Sequence, residues 1–177
     1  AIGQEFKRNT LNQWVSTKHI ATSLLGKILV YVFIFCAWTW AWMFWLAHIR
    51  GYFIAGSLSL ILVAQFLLYF SYAVISSTVV LATKDLPKTF GFIALYGGSS
   101  PSFSGITLPL NNAPAFTQFW SMIIPYTPYA KLQTEQWVIG SDILVSLVPL
   151  GILIIFSGLY FALSIHLLKK NTLELSS

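Results

Sequence analysis

Four long stretches free of charged residues constrain this chain of 177 residues more than any other feature. They are separated by polar segments that contain charges such as Lys27, Arg50 and Lys84. A helix needs about 20 apolar residues to cross the ~30 Å hydrocarbon core of a bilayer, and each stretch is long enough to do so. Because 56% of the residues are hydrophobic and only 8% are charged, the composition excludes an ordinary soluble globular domain. We therefore expect an all-α integral membrane protein.

The expected transmembrane domain covers residues 28–177, with a polar cytoplasmic segment before it at residues 1–27. Proline disrupts a helix, so we expect a break near Pro101 in the third of the spans. We place the four spans at about 28–47, 57–82, 89–108 and 143–168.

Basic residues set the expected orientation, because lysine and arginine are retained in short cytoplasmic loops. A four-span arrangement puts eight of the ten basic residues on one side and leaves only Arg50 and Lys131 on the other. We therefore expect both termini in the cytoplasm. The charges are scattered over separate cytoplasmic pieces, which argues against a nucleic-acid partner.

The segment at residues 1–27 has the pattern of a short amphipathic helix. Leu11, Trp14 and Val15 follow the i, i+3, i+4 rule, and Phe6 lies roughly one turn before them. Such a helix lies along the cytoplasmic face of a membrane. It is either a simple interfacial anchor or a docking helix for a cytoplasmic partner.

The third charge-free stretch contains an unusual number of prolines. Residues 91–133 include five prolines and no charge before Lys131. Proline removes a backbone donor and disrupts helices, and irregular backbone at membrane depth must be shielded by protein or water. This pattern predicts an outer re-entrant helical hairpin between the last two spans. Such backbone is typical of a transport path or a gate.

The second span carries a polar face. Gln65, Tyr69, Tyr72 and Ser76 are spaced by four, three and four residues, so they share one side of a helix. This side must turn away from lipid, because an unpaired polar group in an apolar medium costs roughly 2 to 7 kcal/mol. The face either holds helices together or lines a substrate path.

Signatures of catalysis and cofactor binding are missing from the sequence. No glycine-rich loop ends in Gly-Lys-Ser or Gly-Lys-Thr, so we expect no cofactor and no nucleotide site of that kind in this chain. The three histidines fall at different expected depths, which argues against a metal site. The acids are split across the membrane, and no pair is suited to acid and base roles. An enzyme that uses Glu135 or Asp142 at the outer mouth remains an alternative.

The order of these features resembles the permease subunits of type 2 ATP-binding-cassette exporters. The family has a cytoplasmic Glu, a Gly-Thr-Leu element and a span that opens with Gly-Lys. Glu5, Thr10-Leu11 and Gly26-Lys27 match these places, although Asn9 stands where glycine is usual.

The outer motif of the family is the stronger match. It contains Ser-Gly and a proline, then a second proline, a short aromatic helix that here contains Trp120, and Pro-x-Thr. The corresponding candidate hairpin or gate residues are Ser104, Gly105, Pro109, Pro114, Pro125 and Thr127.

The resemblance implies a permease subunit of an ATP-driven exporter, which forms the translocation path for an unidentified substrate. It implies ATP hydrolysis on a separate cytoplasmic ATPase, pairing with a second identical or different permease half, and a bacterial inner membrane. A periplasmic adaptor is a further candidate partner. The family has six spans, so we expect the C-terminal part of a permease that lacks two N-terminal spans. The implied ATPase-contact residues are Glu5, Phe6, Thr10, Leu11, Trp14 and Val15.

An alternative function is a membrane scaffold or assembly subunit without its own transport path. In that case the polar face formed by Gln65, Tyr69, Tyr72 and Ser76 would only pack helices together.

Overall fold

The computed structural model describes residues 2, 20–106 and 110–174. No strand occurs in these ranges, so the expected all-α fold class is confirmed for this part of the chain. The elements are α1 (Ile20–His48), α2 (Leu58–Thr83), α3 (Leu86–Phe103), a 3₁₀ turn (Leu110–Asn112), α4 (Ala115–Ile123), α5 (Tyr126–Gln133), a π-helix (Thr134–Ile139) and α6 (Ile143–Glu174).

Three of the described helices are long and apolar enough to cross a membrane: Ile20–His48, Leu58–Thr83 and Ile143–Thr172. They coincide with the first, second and fourth predicted spans. The first of these helices begins at Ile20 and not at residue 28. Residues 20–27, which were expected in the cytoplasmic segment, therefore form the start of α1. The third predicted span corresponds to α3, which has 18 residues and is not among the three.

Large apolar side chains project from these helices to the outside of the structure. Trp38 of α1 is 68% exposed and Leu144 of α6 is 71% exposed. A soluble protein rarely presents such extensive apolar surface, whereas lipid covers it in a membrane.

Helices α2 and α6 run in the same direction. The Oγ atoms of Ser71 and Ser157 lie 2.8 Å apart, and Thr78 Oγ1 lies 2.7 Å from Ser164 Oγ. Both members of the second pair are later in the chain than those of the first. The two helices are therefore parallel.

A row of small polar side chains forms this contact. Ser157, Ser164 and Asn171 are spaced by seven residues, which is close to two helical turns, so they share one face of α6. At the end of the row, Asn171 Nδ2 donates to the carbonyl of Leu81 at 2.9 Å. Such hydrogen bonds between membrane helices contribute about 0.6 kcal/mol each on average.

The helix bundle has two distinct ends. At one end, α1 finishes and α2 and α6 begin; we call it the hairpin end, because the segment of α4 and α5 starts and finishes there. Gly56 N donates to the carbonyl of Gln136 at 2.8 Å at this end. At the Lys84 end, α1 begins, α2 turns into α3 and α6 finishes. The basic residues assigned to the Lys84 end are Lys27, Lys84, Lys88, Lys169 and Lys170.

A tight turn at Lys84 and Asp85 reverses the chain between α2 and α3. Lys84 adopts a left-handed conformation with φ 52°, which ends α2. The carboxylate of Asp85 accepts from Lys88 N at 3.2 Å and so caps α3, and Pro87 stands in the first turn. Helix α3 therefore returns antiparallel to α2.

Helix α4 lies antiparallel to the second half of α3. Trp120 Nε1 donates to Ser99 Oγ at 3.2 Å, and the hydroxyl of Tyr96 donates to the carbonyl of Ile123. The chain turns at Ile124, which is fully buried in a cluster with Ile75. Helices α4 and α5 thus form a hairpin whose tip lies beyond the middle of α2.

The second arm of this hairpin returns along α2 and α6. Tyr129 and Leu132 of α5 share an apolar cluster with Ala64 and Leu68 of α2 and Leu153 of α6. The π-helix then continues this arm to the hairpin end of the bundle.

Candidate functional site

A cavity of about 730 Å³ lies between α1, α2, α3 and α5. Ligand sites commonly enclose roughly 300 to 1,000 Å³. None of the described residues that line it carries a charge. Its walls include six aromatic side chains: Tyr31, Phe35, Tyr69, Tyr72, Tyr126 and Tyr129.

The polar face predicted on the second span lies partly in this cavity. Tyr69, Tyr72 and Ser76 line it, but Gln65 does not. Gln65 is 6% exposed, and its Oε1 has no hydrogen-bond partner among the described residues. Spacing on one helical face therefore brings three of the four residues to the cavity and leaves Gln65 packed closer to the hairpin end.

One hydrogen bond joins α2 to α3 in the wall of the cavity. Ser100 Oγ donates to the carbonyl of Tyr96 at 2.8 Å, so its own proton is used. The hydroxyl of Tyr72, 2.6 Å from Ser100 Oγ, must then be the donor in their contact. By contrast, the hydroxyls of Tyr69, Tyr126 and Tyr129 have no hydrogen bond to any described residue.

Gly97 and Pro101 line the cavity on α3, and Pro101 leaves one helical hydrogen bond unmade. Gly97 has no side chain, and Pro101, one turn later, has no backbone N–H to donate to the carbonyl of Gly97. The helix nevertheless continues through Pro101 to Phe103, so the expected break in the third span is not seen at this residue.

The first hairpin residues end α3. Ser104 is buried, and its Oγ donates to the carbonyl of Pro101 at 2.8 Å. Gly105 has φ +82°, a conformation that favours glycine, and an added Cβ would lie 3.1 Å from the side chain of Leu110. Pro109 lies outside the described residues.

The remaining hairpin residues begin the two short helices. Pro114 is the N-cap of α4, and Pro125 is the N-cap of α5. Proline suits a helix start because the first backbone N–H groups have no helical acceptor. The Oγ1 atom of Thr127 is buried without a hydrogen-bond partner among the described residues.

All predicted ATPase-contact residues lie outside the described part of the chain. They are Glu5, Phe6, Thr10, Leu11, Trp14 and Val15.

A polar cluster at the hairpin end was not predicted from the sequence. Gln136 is fully buried, and its Nε2 donates to Ser146 Oγ at 2.9 Å and to the carbonyl of Ser141 at 3.0 Å. Its Oε1 accepts from Ser57 N at 2.7 Å. Ser146 in turn donates to Glu135 Oε2 at 2.7 Å. The cluster joins the start of α2, the π-helix and the start of α6.

The loop before α2 also bonds directly to the π-helix. Ala55 N donates to the carbonyl of Trp137 at 3.2 Å, beside the bond from Gly56 to Gln136. These are carbonyls near the end of a helical segment, which need partners from outside it. The contact requires glycine, because a Cβ at Gly56 would lie 2.4 Å from Gln136 Oε1.

The two acids considered for an enzyme have identified structural contacts. Glu135 is 7% exposed and accepts the bond from Ser146. Asp142 Oδ1 accepts from Leu144 N at 3.1 Å at the start of α6.

Comparison with known proteins identifies the family. Residues 1–166 match the family model described as ABC-2 family transporter protein. No curated protein and no solved structure matches the chain. The match confirms the resemblance to type 2 ATP-binding-cassette permeases, a family that generally works with an ATPase and in a dimeric arrangement. The chain therefore belongs to the ABC-2 transporter family and is an integral membrane permease component of an ABC transporter.

Proposed function

We propose that this chain supplies four membrane spans to an ATP-driven exporter and that the tyrosine-lined cavity is part of its substrate path. The parallel direction of α2 and α6 carries the proposal, because two parallel spans need a return crossing between them. The connecting residues include α3, whose 18 residues extend about 27 Å at 1.5 Å per residue. Helix α3 is thus this return crossing and the third of the four spans.

The moderate apolarity of α3 suits a span that faces protein on one side. Ser100 is buried, and Gly97 and Pro101 line the cavity. On other sides, Phe90 is 71% exposed and Leu95 is 68% exposed, as expected for side chains in lipid. Small and polar residues are common where membrane helices approach one another.

The α4–α5 hairpin is, in this proposal, the re-entrant gate. Its tip at Ile124 and Pro125 packs beside the middle of α3 and is completely or almost completely buried. Non-helical backbone is tolerated at membrane depth when protein surrounds it, and the burial of this turn meets that condition. Movement of the hairpin would change the cavity, because Tyr126 and Tyr129 line one of its walls.

The distribution of basic residues supports a cytoplasmic location for the Lys84 end and an outer location for the hairpin end. Arg50 follows α1 at the hairpin end, and Lys131 lies on the returning arm of the hairpin. We place the protein in a bacterial inner membrane with both termini in the cytoplasm.

Energy would come from a separate ATPase that contacts residues 1–27. Closure of the ATPase pair on ATP would move the amphipathic helix and, through α1, the helices around the cavity. A second permease half, identical or different, would complete the path, with a periplasmic adaptor as a further candidate partner. The proposed contacts are Glu5, Phe6, Thr10, Leu11, Trp14 and Val15.

Co-purification with the ATPase tests this function. Trp14→Ala should reduce recovery of the ATPase with the full transporter, because Trp14 lies on the apolar stripe of the predicted helix. Gln13→Ala, on the side of that helix opposite Leu11, Trp14 and Val15, is the matched control and should leave recovery unchanged. Equal recovery with both variants would contradict the docking role.

The scaffold alternative has support from polar contacts that hold helices together, such as Ser71 with Ser157. Tyr69 separates the two functions, because it lines the cavity and its hydroxyl has no described hydrogen-bond partner. A path role predicts that Tyr69→Leu alters ATP-driven transport at unchanged thermal stability. A scaffold role predicts lower stability with transport intact in the molecules that fold.

A further inference from the structure

We infer that the tyrosine-lined cavity binds a hydrophobic organic cation. The inference rests on the proposed function of the cavity as a substrate path and adds the chemical class of the ligand. It follows from three properties of the cavity: its aromatic walls, the absence of charge among its described lining residues, and polar side chains that make no hydrogen bond to a described residue.

Aromatic side chains form walls on three of the four surrounding helices. Tyr31 and Phe35 come from α1, Tyr69 from α2, and Tyr126 and Tyr129 from α5. The face of an aromatic ring is electron-rich and attracts a cation placed within about 6 Å of the ring centre. Aromatic cages bind quaternary ammonium groups by this interaction.

The charge pattern disfavours an anionic ligand. No lysine, arginine or histidine is among the described lining residues, so an anion would lose its hydration without gaining an opposite charge. The electron-rich ring faces would add repulsion. A cation whose charge is spread over apolar substituents has little hydration to lose, so ring faces can hold it without a carboxylate.

Polar oxygen atoms in the cavity wall can also interact with a bound cation. The hydroxyls of Tyr69, Tyr126 and Tyr129 and the side-chain amide of Gln133 make no hydrogen bond to a described residue. Their oxygen dipoles can turn toward a positive charge. The paired hydroxyl of Tyr72 is different, because its bond to Ser100 joins α2 to α3.

Two ions of similar size and shape provide the test: tetraphenylphosphonium, a cation, and tetraphenylborate, an anion. Binding to the full transporter with its ATPase is measured without ATP by equilibrium dialysis in lipid nanodiscs, after subtraction of binding to protein-free nanodiscs. We expect the cation to bind at least about tenfold more tightly, which lies within the cation–π range.

Variants locate the binding site. Tyr69→Leu and Tyr126→Leu should each weaken binding of tetraphenylphosphonium by between about two- and thirtyfold, because each removes a ring. The Tyr69→Phe and Tyr126→Phe variants keep the rings and should bind within about threefold of the parent. Tyr52→Leu is the control, because Tyr52 is 56% exposed and does not line the cavity.

Equal binding of the two ions, no binding of the cation, or cation binding that neither leucine variant weakens would overturn the inference. Thermal stability of each variant is measured in parallel, and if one leucine variant does not fold, the other supplies the result. ATPase recovery with Gln13→Ala and Trp14→Ala does not depend on the ligand. Failed cation binding with the expected recovery therefore removes the ligand class alone, whereas unchanged recovery with Trp14→Ala counts against the proposed function.

Discussion

Ser71 of α2 and Ser157 of α6 face each other with their Oγ atoms 2.8 Å apart, between two helices that run in the same direction. The pair at Thr78 and Ser164 repeats this contact two turns later. Parallel spans cannot be consecutive crossings of a membrane. The connection between them must return to the side from which α2 began, and this requirement underlies the proposed role of α3.

Cysteine pairing tests the register of α2 and α6. In a Cys36→Ala background, Ser71→Cys with Ser157→Cys should form a disulfide readily, because the two side chains already touch. Ser71→Cys with Ser164→Cys is the control, since its second cysteine lies about 10 Å farther along α6. Mass spectrometry of non-reduced peptides identifies the bonds. A disulfide in the control but not in the first pair would contradict the parallel register.

Gly56→Ala should destabilise the hairpin end. The new Cβ would lie 2.4 Å from Gln136 Oε1 and 2.9 Å from the carbonyl of Gln136, so the loop must shift. We expect a loss of about 1 to 3 kcal/mol in the free energy of unfolding, measured by denaturation in detergent. Gly158→Ala meets no atom within 4 Å and should not destabilise the protein. Equal stability of the two variants would refute the close approach.

Gln136→Leu should lower the free energy of unfolding by more than Gly56→Ala does. It removes the acceptor of Ser57 N and the donor to Ser146, and each buried polar group left unpaired costs about 1 to 3 kcal/mol. Gln133→Leu makes the same chemical change three residues earlier, where the amide has no described partner. Thermal denaturation of both proteins measures the difference. Similar losses would show that the hydrogen bonds of Gln136 do not stabilise the fold.

Tyr72→Phe should lower the free energy of unfolding by about 0.5 to 1.5 kcal/mol, because it removes the donor to Ser100. Tyr69→Phe loses a hydroxyl without a described partner and should have no such effect. A double-mutant cycle with Ser100→Ala isolates the energy of the contact. A coupling energy of zero would show that the hydrogen bond between Tyr72 and Ser100 does not stabilise the fold.

Hydropathy was sufficient to locate the three most apolar helices. The second span was expected at residues 57–82, and a helix long and apolar enough to cross a membrane covers Leu58–Thr83. This success has a simple cause, since a lipid-facing helix is apolar on most of its surface and the signal needs no knowledge of its neighbours. Helix α3 gives a weaker signal because it contains residues that are not strongly apolar, among them Gly97, Ser100 and Pro101, which line the cavity.

Contacts between distant parts of the chain could not be predicted in the same way. The spacing of Ser157 and Ser164 places them on one face of a helix, but nothing local indicates that Ser71 and Thr78 meet them. The burial of Gln136 depends on a loop far away in sequence, at Ser57. The spacing of Tyr69, Tyr72 and Ser76 did predict a common face, whereas the packing of the hairpin residues Tyr126 and Tyr129 against the same cavity became apparent only in three dimensions.

The location of the two ends of α3 tests the account most directly. In a Cys36→Ala background, single cysteines are placed at Lys88, before the helical core of α3, and at Asn111, after it; both positions are exposed. A membrane-impermeant maleimide should label Asn111→Cys in intact cells and Lys88→Cys only after permeabilisation. Labelling of both positions from the same side would show that α3 does not cross the membrane.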